Sequence, residues 1–241
     1  MYDDQSPLVI AGKLKHRQRV FPSVSKNSIY RYIRSVYGRW IEYHRKQLRK
    51  KRRRHQPRTK PWKNRVLIDQ RPGKINARRE IGHAEGDFIV SGRSGRGVLL
   101  VVADRKLRVT FLEQILKPSQ AKVTAGLLHI KQRYPEWKSV TLDNDILFRH
   151  HQILERRLGI KIYFCFPYHA WEKGQVENTN RWIRRYIPKG SNISKYSKRF
   201  IQKLEDKLNR RIMAVLEYMT PAEMLTRYLK RKQRRSAEKN S

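Results

Sequence analysis

Three acidic residues stand where α/β proteins do chemistry: Asp87, Asp143 and Glu177. Asp87 falls inside a predicted strand beside a continuous apolar run. Asp143 follows directly on a short β segment, at the kind of strand end where open sheets hold functional groups. Glu177 falls in a predicted helix, with 33 residues between it and Asp143. Three clustered carboxylates repel one another unless a cation joins them. Hard divalent ions such as Mg²⁺ prefer carboxylate oxygens and retain several waters. A pair of such ions about 4 Å apart activates the attacking oxygen at a phosphodiester and stabilises the leaving one. The chain carries 57 Lys and Arg against 20 Asp and Glu, so acids set inside core elements are conspicuous. Any one of the three, taken singly, reads more readily as a capping or ion-paired residue. The set, at these element positions, does not.

Several neighbours qualify the picture. Glu85 alternates with Asp87 on one strand face and reads as a supporting group or a salt-bridge partner. Arg181 and Arg184 share the Glu177 face of the helix at i+4 and i+7, where they can hold phosphates. For Arg181 an intrahelical ion pair with Glu177 competes with that role. Trp171, Trp182 and Ile183 read as packing residues. His83, His129, His150, His151 and His169 show no zinc spacing with cysteines, and Cys165 is the single cysteine. Lying in the apolar run Ile162-Tyr163-Phe164-Cys165-Phe166, it reads as a small buried hydrophobe, which fits a reducing cytoplasm.

The elements that must position the acids follow from the hydrophobic pattern. Residues 83–91 read as a strand, 91–97 as a glycine-rich turn and 98–103 as a buried strand. Residues 107–114 give a third strand, separated from the second only by Asp104-Arg105-Lys106, so the three form an antiparallel meander. A helix over 119–133, a strand at 139–142, a helix over about 148–158 stopped by Gly159, a strand at 160–166 and a long helix over about 171–186 complete the series. The expected class is α/β, a mixed five-stranded sheet covered by helices.

The formal net charge of +37 calls for a polyanionic partner, and nucleic acid is the first candidate. A membrane surface is the rival, although no apolar run approaches the roughly 20 residues of a membrane span and no membrane is expected as partner. Residues 1–44 read as a helix-turn-helix. Ser6-Pro7 opens a first helix, and Ser25 caps a second over about 26–37 with the apolar stripe Ile29, Ile33 and Val36. Lys26, Asn27, Arg31 and Arg34 lie off that stripe, as residues that face DNA would. A generic helical hairpin with a solvated face is the alternative. Residues 45–80 form a basic linker in which ten Lys or Arg and no acid occur between Arg45 and Lys60. Its densest part holds Lys51, Arg52 and Arg53 and is expected to order on phosphate. Residues 81–190 make the core with the acids. Residues 191–241 form a helical extension with a basic tail, in which Phe200, Leu204 and Leu208 recur and Thr220-Pro221-Ala222-Glu223 is a capping box.

These stretches carry a family likeness. Ser28-Ile29-Tyr30-Arg31-Tyr32-Ile33, Ile81-Gly82-His83 with Glu85-Gly86-Asp87, Thr141-Leu142-Asp143-Asn144, Gly174 with Glu177-Asn178-Thr179-Asn180, Ile187-Pro188-Lys189-Gly190 and Lys207-Leu208-Asn209-Arg210-Arg211 occur in one order along nearly the whole chain. The chain resembles transposases of the IS-thirty family of bacterial insertion sequences. The resemblance implies a ribonuclease H-like integrase core and a catalytic triad of Asp87, Asp143 and Glu177 that binds Mg²⁺ or Mn²⁺. It further implies double-stranded DNA as partner, in the form of terminal inverted repeats and target DNA, and a homo-oligomer on that DNA. The implied reaction is hydrolysis followed by strand transfer, and Arg184 matches a basic residue seven places after the Glu. The sequence departs from the family pattern at Asp143-Asn144-Asp145-Ile146-Leu147-Phe148. There a usual Gly has become Asp145, which predicts a strained turn and an added charge, and a usual acid has become Leu147. A further DNA-binding segment that commonly precedes Ser6 is also missing. Two other readings stay open: a shortened copy that binds DNA without cutting it, and a nuclease of RNA–DNA hybrids.

Overall fold

The apolar run at 98–103 forms strand β2 (Val98–Asp104), buried along its whole length. In the computed structural model, residues 5–18, 20–38, 41, 64–93, 95–166 and 170–238 are described. There β2 pairs antiparallel with β1 (His83–Val90) and with β3 (Thr110–Ile115). Strand β4 (Ser139–Leu142) runs parallel to β1, and β5 (Lys161–Phe164) parallel to β4, giving the mixed sheet order β3-β2-β1-β4-β5. The third strand begins later than its apolar pattern predicts. Asp104 Oδ1 accepts the amides of Lys106 and Leu107, and Arg108 takes φ +63°, so the connection runs on to Val109 before the chain re-enters the sheet.

Helices α4 (Gln120–Arg133) and α5 (His151–Leu158) follow β3 and β4, and α6 (Gly174–Ile183) and α7 (Lys198–Asn209) follow β5. The short helices α1 (Pro7–His16), α2 (Lys26–Arg34) and α3 (Gly73–Asn76) precede the sheet, and α8 (Pro221–Ala237) ends the described chain. Ile89, Leu99, Val101 and Leu112 on one sheet face join Val176 and Ile183 of α6 and Ile201, Leu204 and Leu208 of α7 in one core cluster. The α5 helix stops at Gly159, whose φ of +62° a residue with a side chain adopts only under strain.

Strand β3 is a sheet edge, and an edge leaves backbone groups unpaired. Here α7 supplies the missing partners. Asn209 Oδ1 accepts the Thr110 amide at 2.8 Å, and its Nδ2 donates to the Thr110 carbonyl at 2.8 Å. Glu205 Oε2 accepts the Leu112 amide at 2.6 Å, while Arg133 Nη1 holds Glu205 Oε1 at 2.7 Å. Two side chains thus take the place of a sixth strand. Asn209→Ala leaves both Thr110 backbone groups without their partner and is expected to cost roughly 1–3 kcal/mol, seen as a lower urea midpoint at an unchanged slope.

The described residues divide into two compact units, one of residues 64–209 and one of residues 5–41 with 210–238. This differs from the division expected from sequence in two ways. The end of the 45–80 segment belongs to the sheet unit: Arg71 is buried there and donates to Thr141 Oγ1 at 2.9 Å. The 191–241 segment is split after Asn209, for α7 covers the sheet edge while α8 belongs with α1 and α2. In that second unit the Tyr218 ring lies against Gly12 of α1, stacks on His16 at 5.4 Å, and Arg17 donates to the Glu217 carbonyl at 3.1–3.2 Å. Ser25 caps α2 as expected and Ile33 is buried, but α2 ends at Arg34. Val36 falls in a 3₁₀ turn, 71% exposed, and does not join the apolar stripe.

Candidate active site

Strand pairing brings the first two acids together. In the parallel pair β1–β4, Glu85 is opposite Thr141, and two residues further along each chain stand Asp87 and Asp143. Between Glu85 and Asp87, a Cβ on Gly86 would stand 2.6 Å from Leu142 Cδ2, so any larger residue there must displace that buried side chain. Both carboxylates converge on one cation. The Lys173 ammonium lies 3.1 Å from Asp87 Oδ1, 3.5 Å from Asp143 Oδ2 and 3.2 Å from the Gly86 carbonyl. Lys173 is 4% exposed. Burial by itself would lower the pKa of its ammonium, but Asp143 and Asp87 outweigh that and hold it above the ordinary lysine value.

The remaining oxygens define what the site accepts. Asn180 of α6 donates Nδ2 to Asp87 Oδ2 at 2.6 Å. Its own Oδ1 is buried with no hydrogen-bond partner among the described residues, and so is Asp143 Oδ1, although the Asp143 side chain as a whole is 42% exposed. One Asp143 oxygen is therefore sealed and unsatisfied while the other faces Lys173. Burial pushes the Asp143 carboxyl above the usual range; Lys173 opposes this, and the Asp87 and Asp145 charges add to it. A site lined by carboxylate, amide and carbonyl oxygens, two of them unsatisfied, fits a hard cation such as Mg²⁺ or Mn²⁺ and not a thiophilic one.

The third acid stands apart from this pair. Among the described residues no group of three or more His, Cys, Asp or Glu side chains gathers as a metal-holding set. Glu177 is half-buried in the first turn of α6, three residues before Asn180, and among the described residues it makes no hydrogen bond or ion pair, with Arg181 or any other group. The helix begins at Gly174 and not near Trp171, because residues 170–173 form a 3₁₀ segment. Arg184 is half-buried and donates to the Pro188 carbonyl at 3.3 Å; burial lowers its pKa against the pull of Asp87. Arg181 is exposed on α6, and Lys26, Asn27, Arg31 and Arg34 are exposed on α2. Lys51, Arg52 and Arg53 lie outside the described residues.

Glu85 is a structural support. It is 1% exposed, and its Oε1 accepts Arg105 Nε at 3.0 Å. Its Oε2 accepts the amides of Gln175 and Val176 at 2.9 and 3.0 Å. The α6 N-cap residue, Lys173, makes no side-chain cap bond, so Glu85 reaches over from β1 to satisfy two of the open amides. At the departing motif, Asp145 takes φ −72°, so no left-handed strain arises there, and its Oδ1 caps the turn at Leu147 with a 2.9 Å bond. Burial pushes the Cys165 thiol up to about 12, in keeping with an inert packed cysteine. Among the described residues no helix is long and apolar enough to cross a membrane.

Comparison with known proteins bears on the family of the chain and the fold of its sheet unit. The chain is 34% identical over 229 residues to the transposase for insertion sequence element IS4351 of Bacteroides fragilis, covering 90% of this chain and 68% of that protein. It is 32% identical over 241 residues to the transposase for insertion sequence element IS1086 of Cupriavidus metallidurans, covering 93% of this chain and 69% of the relative. Transposase InsI for insertion sequence element IS30A of Escherichia coli matches at 32% over 166 residues, which is 68% of this chain and 43% of that one. No family model matches the chain. Among solved structures, the catalytic core domain of BIV integrase superposes with a TM-score of 0.50 at 18% identity, covering 63% of this chain and 98% of that domain. The sheet unit therefore has the ribonuclease H-like integrase fold, and the chain belongs to the IS-thirty family of insertion-sequence transposases.

Proposed function

We propose that this protein binds the terminal inverted repeats of an insertion sequence, cuts DNA at their ends in a metal-dependent reaction and joins the freed ends to target DNA. The observation that carries the reading is the meeting of Asp87 and Asp143 around a single cationic point on adjacent parallel strands. Asp87, Asp143 and the Asn180 amide oxygen would hold Mg²⁺ or Mn²⁺, with Glu177 as the third acid. Bound there, the ions supply charge for deprotonating a water or a 3′-hydroxyl and for neutralising the leaving oxygen. Arg184 and Arg181, on the helix that carries Glu177, grip the DNA phosphate by charge-assisted hydrogen bonds. Lys26, Asn27, Arg31 and Arg34 of α2 face the DNA groove, and Lys51, Arg52 and Arg53 track the backbone. Catalysis rests on positioning and charge neutralisation, without a covalent protein–DNA intermediate. The protein works as a homo-oligomer on cytoplasmic DNA.

The test uses duplex DNA bearing the repeats that flank the native gene. Nicking at the repeat ends is expected with Mg²⁺ or Mn²⁺ and none with EDTA. Binding is expected to persist in EDTA and to weaken steeply as salt rises, because Lys and Arg release counterions from phosphate. A second reading, a protein that occupies the repeats without cutting, is favoured by the separate position of Glu177. Intact binding with no nicking in either metal would select it.

A further inference from the structure

We propose that Lys173 is a built-in placeholder cation: its ammonium fills the seat between Asp87 and Asp143 that a divalent ion must take, and the ion loads by displacing it. This inference rests on the reading of the site as metal-dependent. It assigns to Lys173 a role that neither the acids nor the phosphate-binding arginines have.

The geometry argues for it atom by atom. An ammonium has three donors and no acceptor, and that of Lys173 meets three oxygens: Asp87 Oδ1 at 3.1 Å, the Gly86 carbonyl at 3.2 Å and Asp143 Oδ2 at 3.5 Å. Hard oxygens of this kind are the ones a divalent ion selects, at about 2.0–2.1 Å for Mg²⁺. The same oxygens cannot serve both cations, and two positive charges a few ångströms apart, one of them on a side chain only 6% exposed, repel strongly. Meanwhile Asp143 Oδ1 and Asn180 Oδ1, both buried, receive nothing from the lysine. The ammonium thus balances the charge of the site and leaves its coordination incomplete.

The attachment of Lys173 suits a side chain that leaves its seat. It lies at the junction between the 3₁₀ segment Ala170–Lys173 and α6, with φ −109° and ψ +45°, and a Cβ on the next residue, Gly174, would meet nothing within 4 Å among the described residues. In the ion-free state the lysine keeps two like-charged acids side by side. Once displaced, it brings an extra positive charge to an anionic DNA phosphate. Metal loading and DNA engagement then favour one another.

The test is Mn²⁺ binding to the full chain, measured by calorimetry and by metal-dependent shift of the melting temperature, with no DNA present. Lys173→Met is expected to bind Mn²⁺ at least about tenfold more tightly than wild type, because a competing like charge is gone. Its ion-free form is expected to melt lower and to regain more from Mn²⁺ than wild type does. Lys173→Arg, which keeps the cation, is expected to retain weak binding. Asp143→Asn added to Lys173→Met is expected to erase the gain. Lys173→Gln, which retains a donor, replaces methionine should that variant not fold. A merely structural lysine would give equal or weaker Mn²⁺ binding when removed, and that result overturns the proposal. If wild type still binds Mn²⁺ in an Asp143-dependent way, the metal-site reading survives that failure. If neither wild type nor the variants bind Mn²⁺ through Asp143, both fall together.

Discussion

Asp143→Asn is expected to reduce DNA end cleavage by on the order of 10³-fold while leaving repeat binding and the melting temperature at or above wild type. The size follows from what the carboxylate does: it is one of the two acids at the cation seat, and asparagine keeps its shape but removes its charge. The stability half of the expectation follows from linkage. The folded Asp143 carboxyl is held above the ordinary value by burial and by its acidic neighbours, with Lys173 only partly opposing. The folded state therefore binds its proton more tightly than the unfolded chain does. Ionisation at Asp143 then destabilises the fold as pH rises through that raised value, and the penalty disappears as pH falls below the unfolded value. A neutral residue at 143 avoids the penalty at neutral pH. Cleavage by Asp143→Asn within tenfold of wild type, in Mg²⁺ and in Mn²⁺, would remove this residue from the chemistry.

The contrast between the first two acids and the third says how much of the site was legible beforehand. Asp87 and Asp143 are fixed by strands, and strands are readable from apolar runs and turns. Once β1 and β4 pair in parallel, the register sets the two carboxylates together. Glu177 lies on a helix whose beginning the periodicity misplaced, since the pattern from residue 171 onward does not distinguish a 3₁₀ segment from the first turn of α6. Lys173 went unnoticed for a different reason. A search for acids that share a cation has no cause to look for a cation supplied by the chain, and in a sequence with 57 Lys and Arg one more lysine carries no signal. Its place four residues before Glu177 was the only available clue.

The same holds for the fold. The five strands and the buried character of β2 follow from local pattern. The covering of the β3 edge by Asn209 and Glu205 depends on contacts 99 and 93 residues apart in the chain, which no local period encodes. The Lys207-Leu208-Asn209-Arg210-Arg211 stretch drew attention as a likeness to relatives, and its physical content is the Asn209 amide closing a sheet edge. Likewise Phe200, expected in the apolar stripe of α7, packs only at the margin of the core, and Ile201 takes the inner position.

Glu85→Ala is expected to cost about 3–5 kcal/mol and to lower the melting temperature by roughly 10 °C. Glu85 is a buried acid holding a buried arginine and, through its second oxygen, the first amides of α6. Alanine leaves the Arg105 guanidinium without its counter-charge and the Gln175 and Val176 amides without an acceptor, at the positive end of the helix dipole. Glu85→Gln keeps one acceptor oxygen and is expected to lose less. Arg105→Met combined with Glu85→Ala is expected to recover part of the stability, because the stranded charge is gone, while the α6 amides stay uncapped. Cleavage should follow a different order. Both alanine variants, single and double, are expected to lose activity beyond what their folded fraction explains, since α6 carries Glu177 and Asn180 and Glu85 holds the first amides of that helix to β1. In Asp143→Asn, activity falls and stability does not; in Glu85→Ala both fall, and restoring stability through position 105 does not restore cleavage. A double variant that regains cleavage along with its melting temperature would show that the Glu85 link to α6 has no part in holding the site.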